Sequence, residues 1–229
     1  MKVLTFSILI LLLVYIQHTG YAQSENSMTN DSIAIPLKTG KNPSIQFEAL
    51  VIEPVNLFIQ SKLLNTNSPQ IQLELNVFNN NTKYATFLWC YDAFSDRKKT
   101  NYPKAYQNYS FDLKIEKNNV ALVVTKLEFG KPMFIDLGQT AVIGNLQILF
   151  KDYIGESSED INGNQTDAFN SYHMLLSEDD EQKTVSFTSL NKAEDKDLII
   201  EWKHYKIMII EDSEKAIKLM VVKNDSNKN

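Results

Sequence analysis

The chain has 229 residues, 43% hydrophobic and 22% charged, with a formal net charge of −5. That composition belongs to a globular chain and excludes a disordered or collagen-like polymer. Charge is uneven: residues 23–151 carry 13 basic and 11 acidic groups, 152–214 carry 5 and 16, and 215–229 carry 4 and 1. With no basic stripe between aromatics, and an acidic segment that repels phosphate, nucleic acid is excluded as a partner.

In chain order, Met1 and Lys2 precede an apolar run from Val3 to Ile16, and Gln17–Ala22 reads QHTGYA. A basic start, an apolar stretch and a small residue before a cut site predict a signal peptide over 1–22. The run is shorter than the roughly 20 apolar residues of a spanning helix, and no later segment is long and apolar enough to span. The expectation is an exported chain, periplasmic, secreted or at the cell surface, with no stable membrane span after cleavage. Cys90 is the only cysteine, so no internal disulfide can form and the core must hold the fold. In the context FLWCY it reads as a buried strand residue.

Residues 23–43, rich in Ser, Thr, Asn and Lys, lack an apolar period and read as a flexible tether. From Ser44 short alternating runs begin. Ile45, Phe47, Ala49 and Val51 alternate with Gln46, Glu48 and Leu50. Ile71, Leu73, Leu75 and Val77 alternate with Gln72, Glu74, Asn76 and Phe78, which predicts a strand with one face buried. Asn79-Asn80-Asn81 suits left-handed turn conformations. Tyr84–Tyr91 is almost wholly apolar, as in a strand at a sandwich centre. Phe111, Leu113 and Ile115 alternate with charged residues, and Asn118-Asn119 turns the chain into Val120–Leu127. Further strands are predicted at Thr140–Ile143, Leu146–Phe150, Tyr172–Leu176, Thr184–Thr188, Leu198–Trp202, Tyr205–Ile210 and Ala216–Val222. No segment of 12 residues carries a helical period. The fold class expected is all-β, an antiparallel β-sandwich architecture of two small β domains. Gly130-Lys131-Pro132 marks the boundary, giving 44–130 and 131–229.

Ile71–Phe78, the asparagine turn and Phe87-Leu88-Trp89-Cys90 resemble two neighbouring strands of an immunoglobulin-like domain, over residues 44–128. The second cysteine of the immunoglobulin disulfide is absent, and Trp89 directly precedes Cys90. The resemblance implies an immunoglobulin-like sandwich. Among exported modules of that fold are adhesive, inhibitory and accessory proteins, and the fold does not choose between them.

Three constellations bear on chemistry. After the signal peptide the histidines are His173 and His204, with no H-E-x-x-H or H-x-H spacing for a metal and no G-x-S-x-G elbow for a nucleophile. Residues 155–170 gather Glu156, Glu159, Asp160, Asn162, Asn164 and Asp167, oxygen ligands of the kind calcium takes. Gly163 breaks the D-x-[DN]-x-[DN]-G frame, however, and the competing reading is an acidic loop. Glu178-Asp179-Asp180-Glu181 reads as a solvated hairpin tip. Finally, Tyr91, Tyr102, Tyr106 and Tyr109 lie in a polar 91–109 loop with Arg97, Lys98, Lys99 and Lys104. Exposed tyrosines there offer large contact area at small entropic cost.

The sequence therefore predicts a non-enzymatic exported protein that mediates interaction, with Tyr91, Arg97, Tyr102 and Tyr106 as contacts and an envelope protein or glycan as partner. The alternative is a glycan-binding accessory module, with Glu156, Glu159, Asp160, Asn162 and Asp167 as calcium ligands. No cofactor is implied.

Overall fold

The computed structural model describes residues 27–29, 31–60, 70–91, 93, 100–116, 119–189 and 198–224. The side chains of 27–29, 100, 101, 157, 158 and 165–168 lie outside that description. The described residues form eighteen strands: β1 Ser27–Thr29, β2 Ser32–Leu37, β3 Ile45–Phe47, β4 Leu50–Ile59, β5 Ile71–Asn79, β6 Thr82–Tyr91, β7 Thr100–Asn101, β8 Lys104–Tyr106, β9 Tyr109–Glu116, β10 Asn119–Lys126, β11 Pro132–Asp136, β12 Thr140–Ile143, β13 Leu146–Glu159, β14 Gln165–Glu178, β15 Glu181–Thr188, β16 Leu198–Trp202, β17 Tyr205–Asp212 and β18 Ala216–Lys223. The fold is all-β. Among the described residues no helix is long and apolar enough to cross a membrane.

The strands form three sheets. A nine-stranded sheet runs β1-β2-β10-β9-β8-β11-β18-β17-β16, a five-stranded sheet β3-β4-β5-β6-β7 and a four-stranded sheet β12-β13-β14-β15. All neighbouring pairs are antiparallel except β8 with β11, which run parallel. There, strands from the two halves of the chain join into one sheet.

Two buried clusters follow from this arrangement. One collects Ile33, Ile35, Leu73, Leu75, Leu88, Cys90, Tyr106, Phe111, Leu113 and Leu122. The other collects Ala105, Met133, Ile135, Ile148, Phe150, Tyr172, Ile207, Ile217 and Leu219. Ala105 and Tyr106 are consecutive on β8 yet belong to different clusters. Successive strand side chains point to opposite faces. The five-stranded and four-stranded sheets therefore pack on opposite faces of the shared sheet, offset along it.

Local chemistry explains the strand ends. Asn80 sits at φ 53° between β5 and β6, the left-handed conformation that asparagine tolerates. Gly144 takes φ 59° between β12 and β13, where the Phe129 ring would lie 3.2 Å from an added Cβ. Cys90 is a fully buried thiol on β6 that donates to the Tyr91 carbonyl at 3.5 Å.

Four expectations change. The segment read as a tether contributes β1 and β2: Ile33 and Ile35 are buried, and β2 pairs with β10 from Ser32↔Thr125 to Leu37↔Val120. β6 is buried on one face only, since Tyr84, Thr86, Leu88 and Cys90 point inward while Ala85 and Phe87 are exposed. The 91–109 stretch holds β7, β8 and the start of β9 rather than a long loop. The 155–170 stretch is largely strand, as β13 and β14 run on to Glu159 and from Gln165.

Candidate functional site

The site with the most chemistry lies where the five-stranded sheet meets the shared one. Parallel pairing puts Lys104 beside Phe134 and Ala105 beside Ile135. Lys104 and Phe134 thus face away from the second core, toward β6. There the Lys104 ammonium, almost fully buried, donates to Asp136 Oδ1. Tyr84 O–H and Thr86 O–H each donate to Asp136 Oδ2 at 2.7 Å. One carboxylate from β11 is held by two hydroxyls of β6 and an ammonium of β8, a neutralised arrangement that meets the demands of a buried ion pair. Burial and the Asp136 charge push the Tyr84 phenol well above its ordinary range. Tyr106 stacks on Tyr84 with ring centroids 4.7 Å apart.

Above this base stands an aromatic cluster. Tyr102 lies 5.1 Å from Phe134, 5.5 Å from Tyr91 and 6.5 Å from Trp89, ring centroid to centroid. Lys104 Nζ sits 5.7 Å from the rings of both Trp89 and Phe134, and Lys218 Nζ 5.3 Å from Phe134. These are cation–π distances. A pocket of about 230 Å³ opens here, with walls of Trp89, Tyr102 and Phe134, Lys104 within, and Glu211, Asp212 and Lys215 on its edge. Burial, then the Glu211 charge, raises the Tyr102 phenol, so it stays a neutral donor at ordinary pH.

Compared with known protein families, curated proteins and solved structures, the chain matches none.

The expected contacts divide three ways. Tyr91 and Tyr102 are partly exposed and adjacent. Tyr106 is buried at 2% exposure, because β8 pairs with β9 and turns that ring into the first core; it is no surface contact. Tyr109 is buried likewise, its hydroxyl donating to Glu48. Arg97 lies outside the described residues. Sequence reasoning missed Trp89, Phe134, Glu211 and Asp212, since the β6–β7 pairing, the β8–β11 pairing and the β17–β18 turn bring them to Tyr102.

Among the described residues the calcium set is not assembled. Glu156 and Glu159 lie on β13, opposite Phe169 and Gln165. Asp167 lies on β14, and its side chain is outside the description. Asp160 and Asn162 belong to the turn between them. Asp160 Oδ1 accepts from the Asn162 and Asn164 amides at 2.8 and 2.9 Å, and Oδ2 from Asn164 Nδ2 at 3.0 Å. Those bonds, the Asn164 side chain first, hold the Asp160 carboxyl below its ordinary range. The carboxylate closes a turn. Among the described residues no group of three His, Cys, Asp or Glu is placed to hold a metal.

His173 and Glu178 are tied into the structure. On β14, His173 has Ser186 Oγ 2.8 Å from Nδ1 and Ser171 Oγ 3.2 Å from Nε2. Glu178, read as part of a solvated tip, is buried at 5% exposure. It accepts from Tyr205 O–H at 2.6 Å and pairs with Lys203 at 3.2 Å, with His204 Nε2 at 3.6 Å. It pins the β14–β15 turn to the β16–β17 turn.

Proposed function

We propose that this is an exported, non-enzymatic β-sandwich protein that works by contact with another protein in the periplasm or at the cell surface. The contact is the pocket at Tyr102. The observation that carries the reading is a partly exposed cluster of Trp89, Tyr91 and Tyr102 over a pocket of about 230 Å³. That volume is below the roughly 300–1,000 Å³ of small-molecule sites and suits one anchoring side chain. Rigid aromatic rings around a single pocket are the composition of an interaction hot spot. A binding role also agrees with the polar groups: Asp136 is saturated by three donors, and the Lys104 ammonium is committed to it.

A glycan reading has its own support. Glu211 lines the pocket beside the aromatic rings, its carboxylate paired with Lys218 at 2.6 Å, and polar groups next to aromatic faces serve the hydroxyls and C–H faces of a sugar ring together. One experiment separates the two. Residues 23–229 are coupled to resin and used to capture partners from the native envelope under mild crosslinking, with Tyr102→Ala in parallel. A specific protein recovered by wild type and lost in the variant supports the protein reading. Recovery of that protein equally by both sinks it. Retardation in polysaccharide gels, abolished by Tyr102→Ala, would favour the glycan.

A further inference from the structure

β13 and β14 outrun their neighbours. β12 pairs with β13 only from Leu146 to Leu149, and β15 pairs with β14 only from Ser171 to Glu178. Beyond those limits the two strands continue as a ribbon, pairing from Gly155↔Asn170 to Glu159↔Gln165. Among the described residues neither edge of the ribbon between 155 and 170 has a third strand. A two-stranded hairpin alone is marginal in water, and unpaired edges are templates for another strand.

The ribbon's side chains show what such a strand would be. Glu156 lies directly opposite Phe169, so both share a face, and Ile154 falls on the same face two residues along. Ile154 and Phe169 are 45% and 42% exposed, and Ile161 at the tip is fully exposed. Residues 152–170 include Asp152, Glu156, Glu159, Asp160 and Asp167, and no Lys or Arg. Like charges facing each other across a new strand pair are destabilising, which disfavours pairing with the same ribbon of a second copy. The opposite charge is favoured. The tip is braced by Asp160, and Gly155 lets the Tyr153 ring lie over the backbone so that its hydroxyl reaches Asn170 at 2.8 Å. The ribbon is held ready before any partner arrives.

We infer that the 152–170 ribbon is a docking arm for a basic, strand-forming peptide segment in which lysine or arginine alternates with apolar residues. The segment adds to a ribbon edge by main-chain hydrogen bonds. Its lysine or arginine side chains lie on the face of Ile154, Glu156 and Phe169, where their aliphatic stems cover the two apolar side chains and their cations meet Glu156; its apolar residues turn to the opposite face, beside Tyr153. This surface is separate from the Tyr102 pocket and does not depend on it.

The test uses the whole chain and a dye-labelled ten-residue peptide of alternating lysine and valine. Controls are an alternating glutamate–valine peptide and a block peptide of five lysines then five valines. Fluorescence anisotropy at low salt is expected to show the alternating basic peptide binding at least about tenfold tighter than either control, and weakening as salt is raised. Phe169→Ser and Ile154→Ser should each weaken it severalfold while Tyr102→Ala leaves it unchanged. Hydrogen exchange on the wild type should show amides between 153 and 170 slowed by the peptide, whatever the variants do. Equal binding of the block peptide would reduce the effect to bulk charge and overturn the inference. So would unaltered exchange across the ribbon, or pairing of ribbons between copies in sedimentation without peptide.

Discussion

At the residue scale, Asp136 joins the two halves of the chain. It is the acceptor for Tyr84, Thr86 and Lys104 at once. Asp136→Ala would leave the Lys104 ammonium buried without a counter-charge. We expect a loss of about 3–5 kcal/mol in denaturant unfolding. Pairing it with Lys104→Met should recover part of that loss, so the double variant falls short of the two single effects added together. Glu178 predicts a pH dependence. The Tyr205 hydroxyl chiefly, with Lys203 and His204, holds its folded pKa below the ordinary carboxylate value. A group depressed on folding contributes stability above its unfolded pKa and loses it as pH falls through the folded one. Glu178→Gln should therefore lower Tm at neutral pH, with the gap to wild type closing as the solution is acidified below about pH 4. A gap that widened in acid would contradict this assignment.

At the element scale, turns and alternation were legible, while strands flanked by polar or acidic residues were not. Asn79-Asn80-Asn81 and Gly144-Asn145 marked hairpins because left-handed backbone selects those residue types. The Gly144 requirement is measurable. Gly144→Ala meets both φ 59° and the Phe129 ring and should cost about 1–2 kcal/mol, whereas Asn80→Gly should change stability by only a few tenths. β2 was hidden because Ile33 and Ile35 alternate with Ala34 and Pro36 inside a Ser- and Asn-rich stretch, so no polar face showed. The outer halves of β13 and β14 were hidden for the opposite reason. Their carboxylates imitate a loop, because in a ribbon without flanking strands nothing forces the pattern to alternate. The Tyr102 pocket was half legible. Its tyrosines stood out as a group, but Phe134, Glu211 and Asp212 are brought in by strand pairing that no local pattern encodes.

At the scale of the whole molecule, the nine-stranded sheet couples what the sequence suggests are two units. β8 carries Ala105 into one core and Tyr106 into the other, and the β8–β11 pairing lies beneath the aromatic pocket. Trp89 and Trp202 stand on opposite sides of that seam and are the chain's two tryptophans. Each can report alone after Trp89→Phe or Trp202→Phe. We expect both reporters to unfold at the same denaturant concentration, in one cooperative transition. Separated midpoints would show two independent units.

The position of β18 has a kinetic consequence. The last strand of the chain lies inside the shared sheet, between β11 and β17; at the other end of the sheet, β2 waits for β10. Pairings between strands so distant in sequence are slow to form, since loop closure must precede the contacts that reward it. A nascent chain cannot complete this sheet until β18 emerges. If the proposed export carries the chain across a membrane as an unfolded thread, that delay is an advantage: the topology itself would keep the chain open during translocation.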